Sequence, residues 1–321
     1  MAEDKATRAK VLFVDDEKQI LIALRALFRS QYQVFLADSG PDALEILGHE
    51  NIHVIVSDQR MPKMLGHEVL REAKKISPTT MRLLLTGYSD LNAIRHSINE
   101  GEVFRFINKP WDNFELRATL ENAVNIALNT ADFAPFLEPE APLTEPSLVD
   151  GIGILVLDDT TDLYRQIQGL CGPTYPVYRA VSIDNALAYL HQTEIALLIT
   201  DITVGGEDTT DFLKLLKQQH PLILSIILSE SFDVEMAVTF INQAKVYRYY
   251  ARSMADGFLK EAIEQGLAFY HKHKAHPVLL ERQQVEAIPE DKLRNPSLAQ
   301  RLLGRFKALR VRWRWFEGKT S

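Results

Sequence analysis

A single shift of 143 positions lays one half of this chain over the other, which limits the fold to two copies of one unit joined in series. Asp15, Asp16, Asp58 and Thr86 map onto Asp158, Asp159, Asp201 and Ser229 without a gap. The same shift carries Pro78 to Pro221, Ile98-Asn99 to Ile241-Asn242, and Val103 and Arg105 to Val246 and Arg248. A register that survives from Asp15 to Arg105 is not accidental. The chain of 321 residues is long enough for each copy to bury its own core.

Within the first copy, short apolar runs alternate with helical patterns. Val11 to Val14 ends in Asp15-Asp16, Ile52 to Val56 ends in Ser57-Asp58, Met81 to Leu85 ends in Thr86-Gly87, and Val103 to Ile107 ends in Asn108-Lys109-Pro110. Runs of this kind fit buried parallel strands. The stretches between them read as helices. Gln19 to Phe28 has Ile20, Leu24, Leu27 and Phe28 on one face, and Ser39-Gly40-Pro41-Asp42 opens the next. Leu65 to Ile76 follows Asp58, Ser89-Asp90 opens a helix to about Asn99, and Asp112 to Glu115 is a capping box for a last helix to about Leu128. Helical crossovers make the strands parallel, so the four ends meet on one edge, where open α/β sheets place their chemistry.

In chain order those ends carry an acid pair, an acid, a hydroxyl and an ammonium, with Met61-Pro62 after the third strand. With these motifs, residues 10–130 resemble the receiver domain of two-component response regulators. Ser57 to Pro62, Leu85 to Tyr88 and Phe104 to Asp112 are most similar to receivers of hydrogenase-type and HD-GYP-type regulators. The resemblance implies a flavodoxin-like (βα)5 fold with strand order 2-1-3-4-5.

Three carboxylates on one edge repel each other unless a cation lies between them, and an all-oxygen site with room for water suits Mg²⁺. By resemblance, Asp16 and Asp58 ligate the ion, Asp15 helps through water, and the Arg60 backbone carbonyl completes the protein's share. Asp58 is then the phosphoacceptor, attacking a phosphohistidine, while Lys109 neutralises phosphoryl charge. A cis Lys109-Pro110 bond is also implied. Thr86 and Phe106 are the implied switch: the hydroxyl moves toward the phosphoryl group and the aromatic turns into the space behind it. Phe106 lacks a tyrosine hydroxyl, so its inward state rests on packing.

The second copy, residues 152–270, also resembles a receiver but departs at its site. Arg252 replaces Lys109, Ser253 replaces Pro110, Val204-Gly205 replaces Met61-Pro62, and Glu230 replaces Gly87. A forked guanidinium does not sit where an ammonium sits. The expectation is a degenerate, structural or docking receiver around Asp158, Asp159, Asp201, Ser229 and Arg252.

Domain bounds follow: a phosphoacceptor receiver over 1–130, a linker over 131–150, a degenerate receiver over 151–270 and a basic tail over 271–321. The linker has Pro135, Pro139, Pro142 and Pro146 among acids and no bases, and is expected to be extended. The tail balances +7 against −14 for the first 270 residues, a sign asymmetry that points to a docking partner for it. His271, His273 and His276 lack the spacing of a metal site and read as a solvated helix end. Residues 276–295 read as a loose connector.

Residues 297–316 form an amphipathic helix with Leu298, Leu302, Phe306, Leu309 and Trp313 on one side and Arg301, Arg305 and Arg312 around it. Docking on protein is the preferred reading; an anionic membrane surface and nucleic acid are the alternatives.

The one cysteine, Cys171, excludes an internal disulfide, the amino terminus is no signal peptide, and no run is long enough to span a membrane, so a cytoplasmic protein is expected. The function expected is a phosphorelay regulator without an enzymatic output. Its partners would be a histidine kinase or phosphotransfer protein upstream, a protein target downstream and, as an alternative, a second copy of the chain. Competing functions are a nucleic-acid regulator acting through the basic helix and an aspartate-based phosphatase. The adjacent Asp15-Asp16 pair, with the nucleophile on another strand, argues against the phosphatase.

Overall fold

The computed structural model describes residues 8–87, 99, 103–137, 151–172, 174–230, 234–252, 257–285, 293 and 300–306. The chain divides into two compact units, Met1–Pro139 and Glu140–Ser321.

In the first unit, β1 (Lys10–Val14), β2 (Gln33–Ala37), β3 (Val54–Asp58), β4 (Met81–Thr86) and β5 (Arg105–Asn108) form a parallel sheet in the order β2-β1-β3-β4-β5. β3 is buried along its whole length, which is why its sequence is a continuous apolar run rather than an alternating one. Helix Lys18–Phe28 buries Leu21, Leu24 and Phe28, with Ile20 and Leu27 partly buried beside them. Phe28 stacks on Phe13 of β1 at 5.4 Å between ring centroids. Helix Asn113–Asn129 covers the same sheet face with Leu116, Leu120 and Ala123. Its start is fixed locally, because Asp112 Oδ1 accepts from the backbone N–H of Phe114 (2.8 Å) and of Glu115 (3.0 Å). Ser39 caps helix Gly40–His49 in the same way, accepting from Asp42 N–H. The helix expected to start at Ser89-Asp90 lies outside the described residues apart from Asn99, which is helical.

The second unit repeats this order. β6 (Ile152–Leu157), β7 (Val177–Ala180), β8 (Glu194–Thr200), β11 (Leu224–Ser229) and β12 (Arg248–Ala251) pair in parallel as β7-β6-β8-β11-β12. A two-stranded hairpin, β9 (Thr203–Val204) and β10 (Glu207–Asp208), follows β8 and has no counterpart among the described residues of the first unit. β11 and β12 fall 143 positions after β4 and β5, whereas helix Leu259–Ala275 begins three residues beyond that register relative to Asn113–Asn129.

Three local expectations are corrected. Ala131–Phe136 is a 3-10 helix, not extended chain, with Phe133 and Phe136 rings 6.3 Å apart; residues 138–150 lie outside the described residues. Pro277–Gln283 is likewise a 3-10 helix whose Leu279 is fully buried, so this part of the connector is packed rather than loose. His273 is buried and stacked on Phe269 at 3.6 Å, on the inward face of helix Leu259–Ala275, although Lys274 and Ala275 at the end of that helix are exposed.

Residues 300–306 are helical, and Leu302 and Phe306 are fully buried within the second unit. Phe306 lies 6.3 Å from Phe212 and 5.7 Å from His220. Arg305 pairs with Asp184 at 2.8 Å, and Arg301 reaches Asp184 and Glu207. Helix Thr210–Gln219 is buried on every side from Thr210 to Lys217, with Phe306 packed against its Phe212. Its counterpart Gly66–Ile76 keeps an exposed face. Leu298, Leu309, Arg312 and Trp313 lie outside the described residues. Among the described residues, no helix is long and apolar enough to cross a membrane.

Candidate functional site

The carboxyl ends of β1, β3, β4 and β5 deliver their terminal residues to one edge of the first sheet. Ligand oxygens of Asp15, Asp16 and Asp58 all lie within 4.8 Å of one another, Asp15 and Asp58 buried and Asp16 exposed. Lys109 Nζ lies 2.7 Å from Asp58 Oδ1 and 3.2 Å from Asp15 Oδ2. Arg60 donates its backbone N–H to Asp58 Oδ2 (3.0 Å), and Glu17 donates its own to Asp15 Oδ1 (2.9 Å). The Lys109–Pro110 peptide is cis, and Lys109 N–H is held by the Thr86 carbonyl oxygen at 2.9 Å. Thr86 is buried at the end of β4, its Oγ1 donating to the Gly87 carbonyl oxygen (3.2 Å), and Phe106 is buried in β5.

Electrostatics follow from this crowding. Burial pushes the Asp15 carboxyl up, against the lowering by Glu17 N–H and Lys109. Burial acts to lower the Lys109 pKa, but the pairs with Asp58 and Asp15 outweigh it and the net direction is upward. The donor set is all oxygen, carries three carboxylates and opens to solvent at Asp16, which fits a hard divalent cation such as Mg²⁺.

Two features of this site were not anticipated. Gly66 passes so close to β3 that a Cβ there would stand 2.0 Å from the Asp58 carbonyl oxygen. Only glycine lets the helix start against the residue that carries the central carboxylate. Gln59 and His67 form a buried clamp: Gln59 Nε2 donates to His67 Nδ1 (3.1 Å) and His67 N–H donates to Gln59 Oε1 (3.2 Å). A glycine at the start of a helix eight residues after Asp58 was the available signal for the first; nothing local signals the second.

The corresponding acids of the second unit are arranged differently. Arg252 Nη2 donates to Asp158 Oδ2 (2.5 Å) and Asp201 Oδ2 (2.9 Å), and its Nε donates to Asp201 Oδ2 (3.1 Å). Asp159 Oδ2 accepts from Gly205 N–H at 3.2 Å. Ser229 is buried at the end of β11, and Glu230 is exposed.

A family model described as the response regulator receiver domain matches residues 11–121. The sporulation initiation phosphotransferase F of Bacillus subtilis is 32% identical over 121 residues, covering 37% of this chain and 97% of that protein. The hydrogenase transcriptional regulatory protein HoxA of Bradyrhizobium diazoefficiens is 34% identical over 116 residues, 36% of this chain and 24% of that protein. The chain thus spans about a quarter of the length of that hydrogenase regulator. Among solved structures, the signal receiver domain of an HD domain-containing protein from Pseudomonas fluorescens Pf-5 is 32% identical, with 41% of this chain and 97% of that one covered and a TM-score of 0.38. By the family model and by the match to 97% of the Bacillus subtilis phosphotransferase, this chain belongs to the response regulator receiver family.

Proposed function

We propose that Asp58 is the phosphoacceptor of a two-component phosphorelay and that the second unit is a tandem, non-phosphorylating receiver. The observation that carries this reading is the meeting of Asp15, Asp16, Asp58 and Lys109 at one sheet edge, with the ammonium 2.7 Å from the central carboxylate. An Asp58 carboxylate oxygen attacks the phosphorus of a phosphohistidine on a kinase or phosphotransfer protein. The P–N bond breaks, the imidazole leaves with a proton, and an aspartyl phosphate forms. Asp15, Asp16, Asp58 and the Arg60 backbone carbonyl would hold Mg²⁺, which when bound supplies charge neutralisation for the phosphoryl oxygens. Lys109 does the same work from the other side, already paired with the nucleophile. Asp15, buried and paired with Lys109, keeps that ammonium directed at Asp58.

Thr86 and Phe106 carry the output. The buried hydroxyl lies at the end of β4, beside the β5 strand of Phe106, so its movement toward the phosphoryl group changes packing behind the aromatic ring. The chain works as a self-phosphorylating receiver, not a turnover enzyme, and acts in the cytoplasm, passing its state to a protein target. Arg301 and Arg305 are occupied by Asp184 and Glu207, which favours protein docking of the basic helix over nucleic-acid binding.

Incubation with acetyl phosphate and Mg²⁺ tests this: intact-mass measurement is expected to find one added phosphoryl group per chain, absent from Asp58→Asn. Undiminished labelling of that variant would refute the assignment.

A further inference from the structure

The acids of the second unit face a cation that belongs to the chain. Arg252 makes three hydrogen bonds, bridging Asp158 and Asp201 through one nitrogen and holding Asp201 through a second. The remaining oxygens are also engaged: Thr160 N–H and Oγ1 donate to Asp158 Oδ1 (2.7 and 2.6 Å), and Ile202 N–H donates to Asp201 Oδ1 (2.6 Å).

A lysine in this position does not have the same effect. Lys109 also touches Asp15 and Asp58, but through one ammonium on a flexible stem, and it leaves Asp16 gathered with them. A guanidinium binds through a rigid planar fork that cannot move aside while keeping its bonds.

The third acid has been drawn off as well. The β9–β10 hairpin turns through Gly205 (φ 59°) and Gly206 (φ 80°), a left-handed pair that side-chain-bearing residues adopt only with strain. That turn presents the Gly205 N–H to Asp159. The replacement of Met61-Pro62 by Val204-Gly205 therefore has a specific consequence: a backbone donor takes the oxygen that the first unit leaves at its open edge. Among the described residues, the oxygens of Asp158, Asp159 and Asp201 do not gather as those of Asp15, Asp16 and Asp58 do.

We infer that Arg252 takes the place of the divalent cation in the second unit, so that this pocket takes neither metal nor phosphoryl group and holds one charge state whatever the Mg²⁺ or phosphodonor supply. The inference rests on the reading of residues 152–270 as a receiver. It makes the unit a module of fixed state, in the same chain as a first unit whose state is set by phosphorylation.

The test uses Mn²⁺ as probe on the full chain, with free ion counted by electron paramagnetic resonance. With the first site silenced by Asp16→Asn and Asp58→Asn, no bound Mn²⁺ is expected. Adding Arg252→Ala in that background is expected to create a site that Asp201→Asn removes again. Arg252→Lys, which keeps the positive charge, serves as the second variant, and a thermal melt checks that each is folded. Bound Mn²⁺ in the silenced chain, lost on Asp201→Asn, would overturn the inference. So would two folded Arg252 variants that bind none. Acetyl phosphate labelling of the unmodified chain at Asp58 reports separately on the first unit, so failure there is distinct from failure here.

Discussion

Lys217 lies in the stretch of helix Thr210–Gln219 that is buried on all sides, and its Nζ donates to the Pro221 carbonyl oxygen at 2.7 Å. Burial pushes its pKa down from 10.5 to about 7. Its counterpart in the first unit, Lys74, is only half-buried. The unfolded chain holds this proton up to its ordinary value, whereas the folded unit gives it up near neutrality. Between the two values the unfolded state binds more protons, so stability rises with pH across that window. Below it both states are charged, and the cost of burying the ammonium is fully present. Lys217→Met removes the charge with little change of length. The expected gain is about 5 kcal/mol below pH 6, about 4 at pH 7 and about 2 at pH 9. The one cysteine of the chain, Cys171, is buried in the second unit, as Lys217 is, so its labelling by a thiol reagent across a urea series reports opening of this unit alone. The difference between variant and parent cancels the thiol's own titration, which burial pushes up to about 11. His273, held down to about 4, acts only in the acid range. A gain that is the same at pH 7 and pH 9 would refute the reasoning, since it would mean that Lys217 does not titrate in a dry site.

Gly66→Ala is expected to push the start of its helix away from the Asp58 carbonyl and slow acetyl phosphate labelling by about 10²-fold, the scale set by ångström misplacement of a reacting group. Labelling at the parental rate would show that the contact does not position the site. Leu302→Ser with Phe306→Ser removes two fully buried side chains, a loss of several kcal/mol if the helix stayed docked. The segment can instead lift off helix Thr210–Gln219, so the expected result is loss of amide exchange protection over residues 300–306 with a smaller fall in the stability of the unit. Arg301→Gln and Arg305→Gln break half-exposed pairs worth under about 1 kcal/mol each, and exchange there should change little at ordinary salt.

The strands, most of the helices and the edge on which the acids meet were legible because they depend on local pattern. Apolar runs specify strands, Ser39 and Asp112 mark helix starts through their own backbone bonds, and helical crossovers force the strands to be parallel. The shift of 143 carried that reading to the second sheet, whose β11 and β12 keep the register. The tertiary structure decided what depends on contacts between distant positions. No periodicity reveals that Arg252 closes over Asp158, 94 positions away, or that Gly205 takes up Asp159. The amphipathic pattern of residues 297–316 predicted an apolar partner, but only packing made Phe212 the partner of Phe306, and only the tertiary structure left Lys217 and His273 buried. The physical reason is range: propensity and capping act over a few residues, while the burial of a charge depends on whatever the folded chain brings against it.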